Sequence, residues 1–213
     1  MKDLGILIRP NFALGGSTAV HDLIEDGYDA VFIGTGAWRP NRMKIPGETF
    51  GNVHYGINYL NNPDVYDLGD RVIVIGAGNA AMDVARTAIR KGARFVTVYS
   101  ITEVPAASPK EVEYAKIDGV QFEYLQTAIE IRDEGAVICD VEWTEDGQLV
   151  KHEETAHLVQ ADSIIISISQ GPKDRLVNRD KELQVDERGL LKTNEKGETT
   201  MEGIFASGDV VTG

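Results

Sequence analysis

The chain has 213 residues, 42% of them hydrophobic and 26% charged, with a formal net charge of −13. No apolar run approaches the ~18 residues of a membrane span, the first residues lack the apolar core of a signal peptide, and the acidic balance disfavours nucleic acid and anionic membranes, which call for a basic face. The single cysteine, Cys139, excludes an internal disulfide framework, an iron–sulfur site and a C-x-x-C redox pair, so a soluble cytoplasmic protein of one large or two small domains is expected.

In chain order, Gly5 to Arg9 is predicted as a short strand. A helix through Glu25 follows, with Ser17 or Thr18 as its N-cap. Tyr28 to Ile33 is predicted as a buried strand, running into Gly34-Thr35-Gly36. This second G-x-G is no dinucleotide turn, because Arg39 stands where a small residue is needed and Pro40 blocks the helix that would receive phosphates. Residues 39–69, with Pro40, Pro46 and Pro63, are predicted as a connecting segment holding one short helix near residues 53–61.

Residues 71–100 carry the strongest pattern. Val72-Ile73-Val74-Ile75 is the β-branched run of a strand buried on both faces. Gly76-Ala77-Gly78-Asn79-Ala80-Ala81 follows at once, and a helix from Met82 to Lys91 is predicted, stopped by Gly92. Its inner stripe is Ala80, Ala81, Val84, Ala88 and Ile89, while Asp83, Arg86 and Arg90 point away. Phe95 to Tyr99 is a second strand. In this βαβ context G-x-G-x-x-A predicts a dinucleotide site. Gly76 makes the tight turn, Gly78 lets a pyrophosphate approach, and small Ala81 lets helix and strand pack closely. The helix N-terminus, at Asn79 and Ala80, offers free N–H groups and partial positive charge. Past the second strand, the Ser100 and Thr102 hydroxyls are candidate partners for the adenosine ribose or its phosphate.

Ser108 is predicted to cap a helix from Pro109 to Lys116, with Glu111 completing a capping box. Val120 to Tyr124 is a strand. Ala128 to Arg132 and Ala136 to Thr144 form an antiparallel meander to which Thr155 to Gln160 returns, and Ala161 to Ile168 is buried strand again. Gly189 to Thr193 and Gly203 to Ala206 are predicted strands, the latter leading into Gly208-Asp209, where a helix is due.

Other motifs carry less. His152-Glu153-Glu154-Thr155-Ala156-His157 nearly matches a zinc-protease pattern, but its second histidine is one place late, so no metal site is expected. There is no Tyr-x-x-x-Lys and no G-x-S-x-G, and no catalytic side chain is assigned.

Three separated stretches resemble the pyridine-nucleotide half of the small (beta) subunit of glutamate synthase, and also related flavin–ferredoxin reductase subunits. Tyr28 to Ala37 with Ile45-Pro46-Gly47 resembles a Thr-Gly crossover segment, Val74 to Thr87 the NADPH-binding turn and helix, and Gly203 to Val211 a second FAD motif. The resemblance implies an NAD(P)-binding domain at residues 64–168 inserted into an incomplete FAD-type domain, residues 1–40 and 171–213. It implies that Thr35 and Gly36 lie near the flavin nucleotide, that Gly208 and Asp209 serve the flavin with Asp209 accepting from its ribityl chain, and that Gln170 and Gly171 approach the nicotinamide. NAD(P)H is the implied cofactor, with FAD in the intact protein, and a larger synthase or iron–sulfur subunit is the implied partner. The first FAD glycine turn is missing, so little FAD is expected to bind this chain. The arginine pair usual after the second strand is replaced by Ser100-Ile101, so NADH is expected to bind at least as well as NADPH. The other function class is a non-catalytic nucleotide-sensing or subunit-docking domain; a thioredoxin-reductase-like enzyme is weakened by the missing C-x-x-C. The predicted fold is α/β, a Rossmann-like parallel sheet with helices on both sides, a small antiparallel meander and the incomplete FAD-type domain.

Overall fold

The computed structural model describes residues 2–172 and 175–213; Met1, Lys173 and Asp174, which fall in the two predicted flavin-type pieces, lie outside them. The chain forms two compact units, Met1–Arg39 with Gln170–Gly213, and Pro40–Ser169.

The first unit opens with a 3-10 turn at Lys2–Leu4. The predicted strand at Gly5 to Arg9 does not form. Leu7 is 84% exposed and, among the described residues, no partner edge takes up the backbone groups of this stretch, without which an extended segment gains nothing from its β propensity. Helix α1 (Val20–Glu25) starts later than predicted, with Ala19 as its N-cap rather than Ser17 or Thr18. Two carboxylates do the capping instead. Asp22 accepts the Ala19 N–H at 2.8 Å, and Asp180, distant in sequence and buried, accepts the N–H of Val20 at 2.8 Å. Strand β1 (Val31–Ile33) is shorter than predicted. It is followed by the two-residue β2 (Arg39–Pro40).

In the second unit, residues 41–63 are more than a connector. They hold β3 (Val53–Tyr55) and α2 (Gly56–Asn61). Three residues are too few to show an alternation, which is why β3 escapes a sequence reading. Then come β4 (Arg71–Ile75), α3 (Asn79–Arg90), β5 (Phe95–Ser100), α4 (Pro109–Ile117) and β6 (Gln121–Tyr124). The meander is β7 (Gln126–Arg132), β8 (Gly135–Trp143) and β9 (Leu149–Gln160), after which β10 (Ser163–Ile166) returns to the main sheet. That sheet is parallel throughout, in the order β3-β10-β4-β5-β6.

The alternation within β4 shows what each face meets. Val72 and Val74 pack with Tyr59 of α2, Met82, Val84 and Ala85 of α3 and Ala115 of α4. Ile73 and Ile75 pack with Ala128, Ile131, Ala136 and Ile138 of the meander. Helices therefore cover one face only, and the meander replaces the expected second helical layer. Both faces are dry, so the run reads as continuously apolar. The Ile45-Pro46-Gly47 stretch docks on this meander. Ile131 N–H donates to the Pro46 carbonyl at 2.9 Å, and Gly47 has φ +79° with the Ile131 carbonyl 2.0 Å from where a Cβ would stand. No other residue fits there.

The first unit is completed by β11 (Gln170–Gly171), α5 (Arg175–Arg179), β12 (Ile204–Ala206) and α6 (Asp209–Thr212), the helix due after Gly208. β12 pairs in parallel with β1, Ile33 opposite Ala206. Val20, Ile33, Leu191, Ile204 and Val210 make its core. The predicted strand at Gly189 to Thr193 reduces to one bridge, Val185 to Leu191.

Candidate functional site

The second unit's candidate site grows out of the end of β4. Gly76 has φ +112°, and a Cβ there would lie 2.3 Å from the Ser167 carbonyl, just past β10. Its N–H donates to the Tyr99 carbonyl at 3.0 Å, so the turn is pinned between the two neighbouring strands. Gly78 is the N-cap of α3 with φ −84°, and a Cβ there would meet nothing within 4 Å. The first glycine is required by the protein's own backbone; the second faces open space. Ala81 is fully buried, and its N–H and that of Met82 both return to the Gly78 carbonyl. Among the described residues no acceptor meets the N–H groups of Ala77, Gly78, Asn79 and Ala80. Four consecutive donors at the positive end of a twelve-residue helix form a cradle for an anion.

The loop after β5 closes over this turn in a way the sequence did not disclose. Ala107 N–H donates to the Ala77 carbonyl at 2.9 Å, and Ser108 N–H to the Asn79 side-chain oxygen at 2.8 Å. Asn79 thus fastens the loop through its side-chain oxygen, and its backbone N–H remains at the cradle. Trp143, at the end of β8, donates its indole N–H to the Ile101 carbonyl at 2.8 Å. These ties join residues 29 and 42 positions apart, and no local periodicity encodes them. The one available signal is an Asn following the second glycine of the turn.

Ser100 is only 2% exposed, and its hydroxyl is spent locally. It accepts the Thr102 N–H at 3.2 Å and sits 3.1 Å from the Thr102 hydroxyl, which in turn donates to the Val104 carbonyl at 2.7 Å. A mostly apolar groove of about 580 Å³ runs beside the loop, between Val104, Pro105, Ala107, Val112 and Ile117, with Glu113 and Lys116 also in its lining.

The outward face of α3 is not simply solvated. Arg86 reaches Glu111 at 3.0 Å and Asp118 at 2.9 Å, and Arg90 meets Asp118 at 2.9 Å. The bond from Arg86 holds the Asp118 carboxyl below the usual carboxylate range. Glu111 N–H donates to the capping Ser108 hydroxyl at 3.4 Å, but the Glu111 carboxylate turns to Arg86 and completes no capping box. Burial, aided by Glu111, pushes Asp83 up. Burial also pushes the Tyr99 phenol up to about 12 and raises the Cys139 thiol. His152 and His157 both lie on β9, not on a helix.

In the first unit, Thr35-Gly36 follows β1 and Gly208-Asp209 follows β12. The two strands are adjacent and parallel, so all four residues gather at one carboxyl end, where open α/β sheets take ligands. Gly36 and Gly208 have φ +67° and +77°. The Thr35 carbonyl accepts the Trp38 indole N–H at 2.7 Å. Asp209 is exposed at the start of α6. Gln170, half-buried, and Gly171, buried, form β11.

Residues 13–213 match the family described as pyridine nucleotide-disulphide oxidoreductase. The glutamate synthase [NADPH] small chain of Halomonas elongata is 31% identical, with 100% of this chain matched to 51% of that protein. The corresponding small chain of Azospirillum brasilense is 29% identical, 100% of this chain against 50% of that one. The chain thus spans about half the length of these curated relatives. Mycobacterium tuberculosis FprA, solved in complex with NADPH, superposes with a TM-score of 0.76 at 18% identity, covering 95% of this chain and 62% of that one, which is a likeness of fold.

Proposed function

The chain belongs to the pyridine nucleotide-disulphide oxidoreductase family, and from that premise we propose that it is the NAD(P)H-binding part of a flavin-dependent oxidoreductase of the glutamate synthase small-subunit kind. The second unit is assigned to the nicotinamide nucleotide and the first to part of a flavin-type domain, whose FAD belongs to the intact protein. A larger synthase or an iron–sulfur subunit is the partner this assignment calls for.

One observation carries the nucleotide assignment. The four unpaired N–H groups of Ala77 to Ala80 stand beside Gly78, whose missing side chain leaves open space. A pyrophosphate fits that cradle: it would take these donors as charge-assisted hydrogen bonds, and the α3 dipole favours its charge. Gly76 and Ala81 serve it indirectly, by fixing the turn and seating the helix on the sheet. In the first unit, Thr35, Gly36, Gly208 and Asp209 are the residues assigned to the flavin nucleotide, Asp209 as an acceptor. Gln170 and Gly171 are assigned to the nicotinamide side.

When bound, a reduced nicotinamide and a flavin supply between themselves the chemistry of hydride transfer. The protein's task is then to bind, orient and exclude water, and no side chain of this chain need move a proton. The test is Gly78→Val. Calorimetry with the reduced nucleotide is expected to lose its binding heat while circular dichroism remains that of the parent. Unchanged affinity places the nucleotide elsewhere and overturns the assignment.

A further inference from the structure

We infer that the second unit selects a nicotinamide nucleotide lacking the 2′-phosphate, NADH over NADPH; this rests on the nucleotide site proposed above. In a βαβ unit the residue ending the second strand meets the adenosine ribose, and a cation there or close by is what neutralises a 2′-phosphate. Here β5 ends at Ser100. Its hydroxyl is buried and closed on Thr102, whose own hydroxyl is closed on Val104. The Trp143 indole holds the carbonyl between them. The turn is therefore complete without a ligand, and neither hydroxyl is left to offer a phosphate.

Charge leads to the same conclusion. Residues 100–108 carry one ionisable side chain, the exposed Glu103. Every Lys and Arg from residue 86 to 108 is paired with a carboxylate: Arg86 with Glu111 and Asp118, Arg90 with Asp118, Lys91 with Asp64, Arg94 with Asp70. Lys110, the next cation along, lies over the Tyr114 ring, 5.6 Å from its centroid, and Lys116, which lines the groove beside the loop together with Glu113, lies over the Phe122 ring at 5.6 Å. A 2′-phosphate would bring its charge to a turn holding one carboxylate and no cation, in a chain already at −13. A 2′-hydroxyl brings none, and it can donate to a carboxylate such as Glu103.

Calorimetric titration of the chain with NADH and with NADPH tests this. NADH is expected to bind about tenfold tighter, which is ~1.4 kcal/mol. Equal affinities, or tighter NADPH, overturn the inference alone. If neither nucleotide gives heat, the nucleotide site itself is wrong and the inference falls with it. Two variants sharpen the result. Ile101→Arg leaves the Ser100 closure intact and adds a cation to the turn, so NADPH should tighten about tenfold with NADH little changed. Lys110→Ala should leave the NADH-to-NADPH ratio where it was. A selective loss of NADPH affinity in that variant would show that Lys110 reads the phosphate, and would overturn the inference.

Discussion

The two units are built on the same device, a glycine turn at the carboxyl end of a parallel strand, yet they differ in how much core supports it. In the second unit the central strands of a five-stranded parallel sheet, β4 and β10, are covered on both faces, and each buries four consecutive residues. In the first, three-residue strands β1 and β12 pair only with each other among the named strands, and Phe32, in the middle of β1, is 67% exposed. Burial on two faces makes a strand insensitive to its ends, whereas burial on one face leaves a short strand dependent on whatever lies against the other. The glycine turn after β4 is therefore locked by its neighbours, and those after β1 and β12 are held by much less.

The sharpest way to break this contrast is at Gly76. Gly76→Ala forces a side chain into a left-handed conformation and against the Ser167 carbonyl, so a loss of about 4 kcal/mol is expected in denaturant unfolding. If the second unit tolerates the change with less than about 1 kcal/mol, its turn is not locked. Next in size is a matched pair. Ile165→Ala, fully buried in β10, should cost about 3 kcal/mol. Phe32→Ser, exposed in β1, should alter stability by no more than about 0.5 kcal/mol. A large loss from the second would mean that Phe32 is covered in solution.

Alkaline titration follows. The Tyr99 phenol is pushed up to about 12 by burial and then by Glu123, its register partner on β6, whereas an unfolded tyrosine ionises near about 10. The raised value stabilises the fold fully below about pH 10, and that contribution is lost as pH rises toward 12. Tyr99→Phe should flatten the decline of the unfolding midpoint across this window; an unaltered decline would place the effect on another group. The smallest effect is at Arg86. Asp118 is depressed by Arg86, so its contribution is present above the usual carboxylate pKa and lost as pH falls below it. Arg86→Gln should weaken that acid dependence and reduce the salt sensitivity of unfolding. No change in either would show the clamp between α3 and α4 to be idle.

What the sequence disclosed follows the same division. β4, the glycine turn, α3 and β5 were legible because burial on both faces writes an unbroken β-branched run, and the turn's glycines stand at fixed spacing. Ser108 and Pro109 announced α4 for an equally local reason. The failures are at places decided by distant partners. Gly5 to Arg9 has strand composition but no edge to pair with, while β3 has an edge waiting and too few residues to advertise it. α1 takes its cap from Asp180 rather than from the adjacent Ser17 or Thr18. Past β4, the glycine turn was visible in the motif, but the commitment of Ser100, Thr102 and Asn79 to holding the loop was not. A hydroxyl or amide in a sequence does not reveal whether its bonds are already used.

The chain's two tryptophans fall one in each unit, Trp38 and Trp143, and each indole N–H is bonded to a backbone carbonyl. The molecule therefore carries two separate optical probes at the two places of interest. Trp38 senses the Thr35-Gly36 turn, through a bond spanning three residues that local chain geometry alone can keep. Trp143 senses the loop after β5, through a bond spanning forty-two that vanishes once the meander leaves the sheet. Replacing either with phenylalanine makes the remaining emission spectrum a report on one unit, so the melting of the second unit can be followed in the presence of the first, without a label and without cutting the chain.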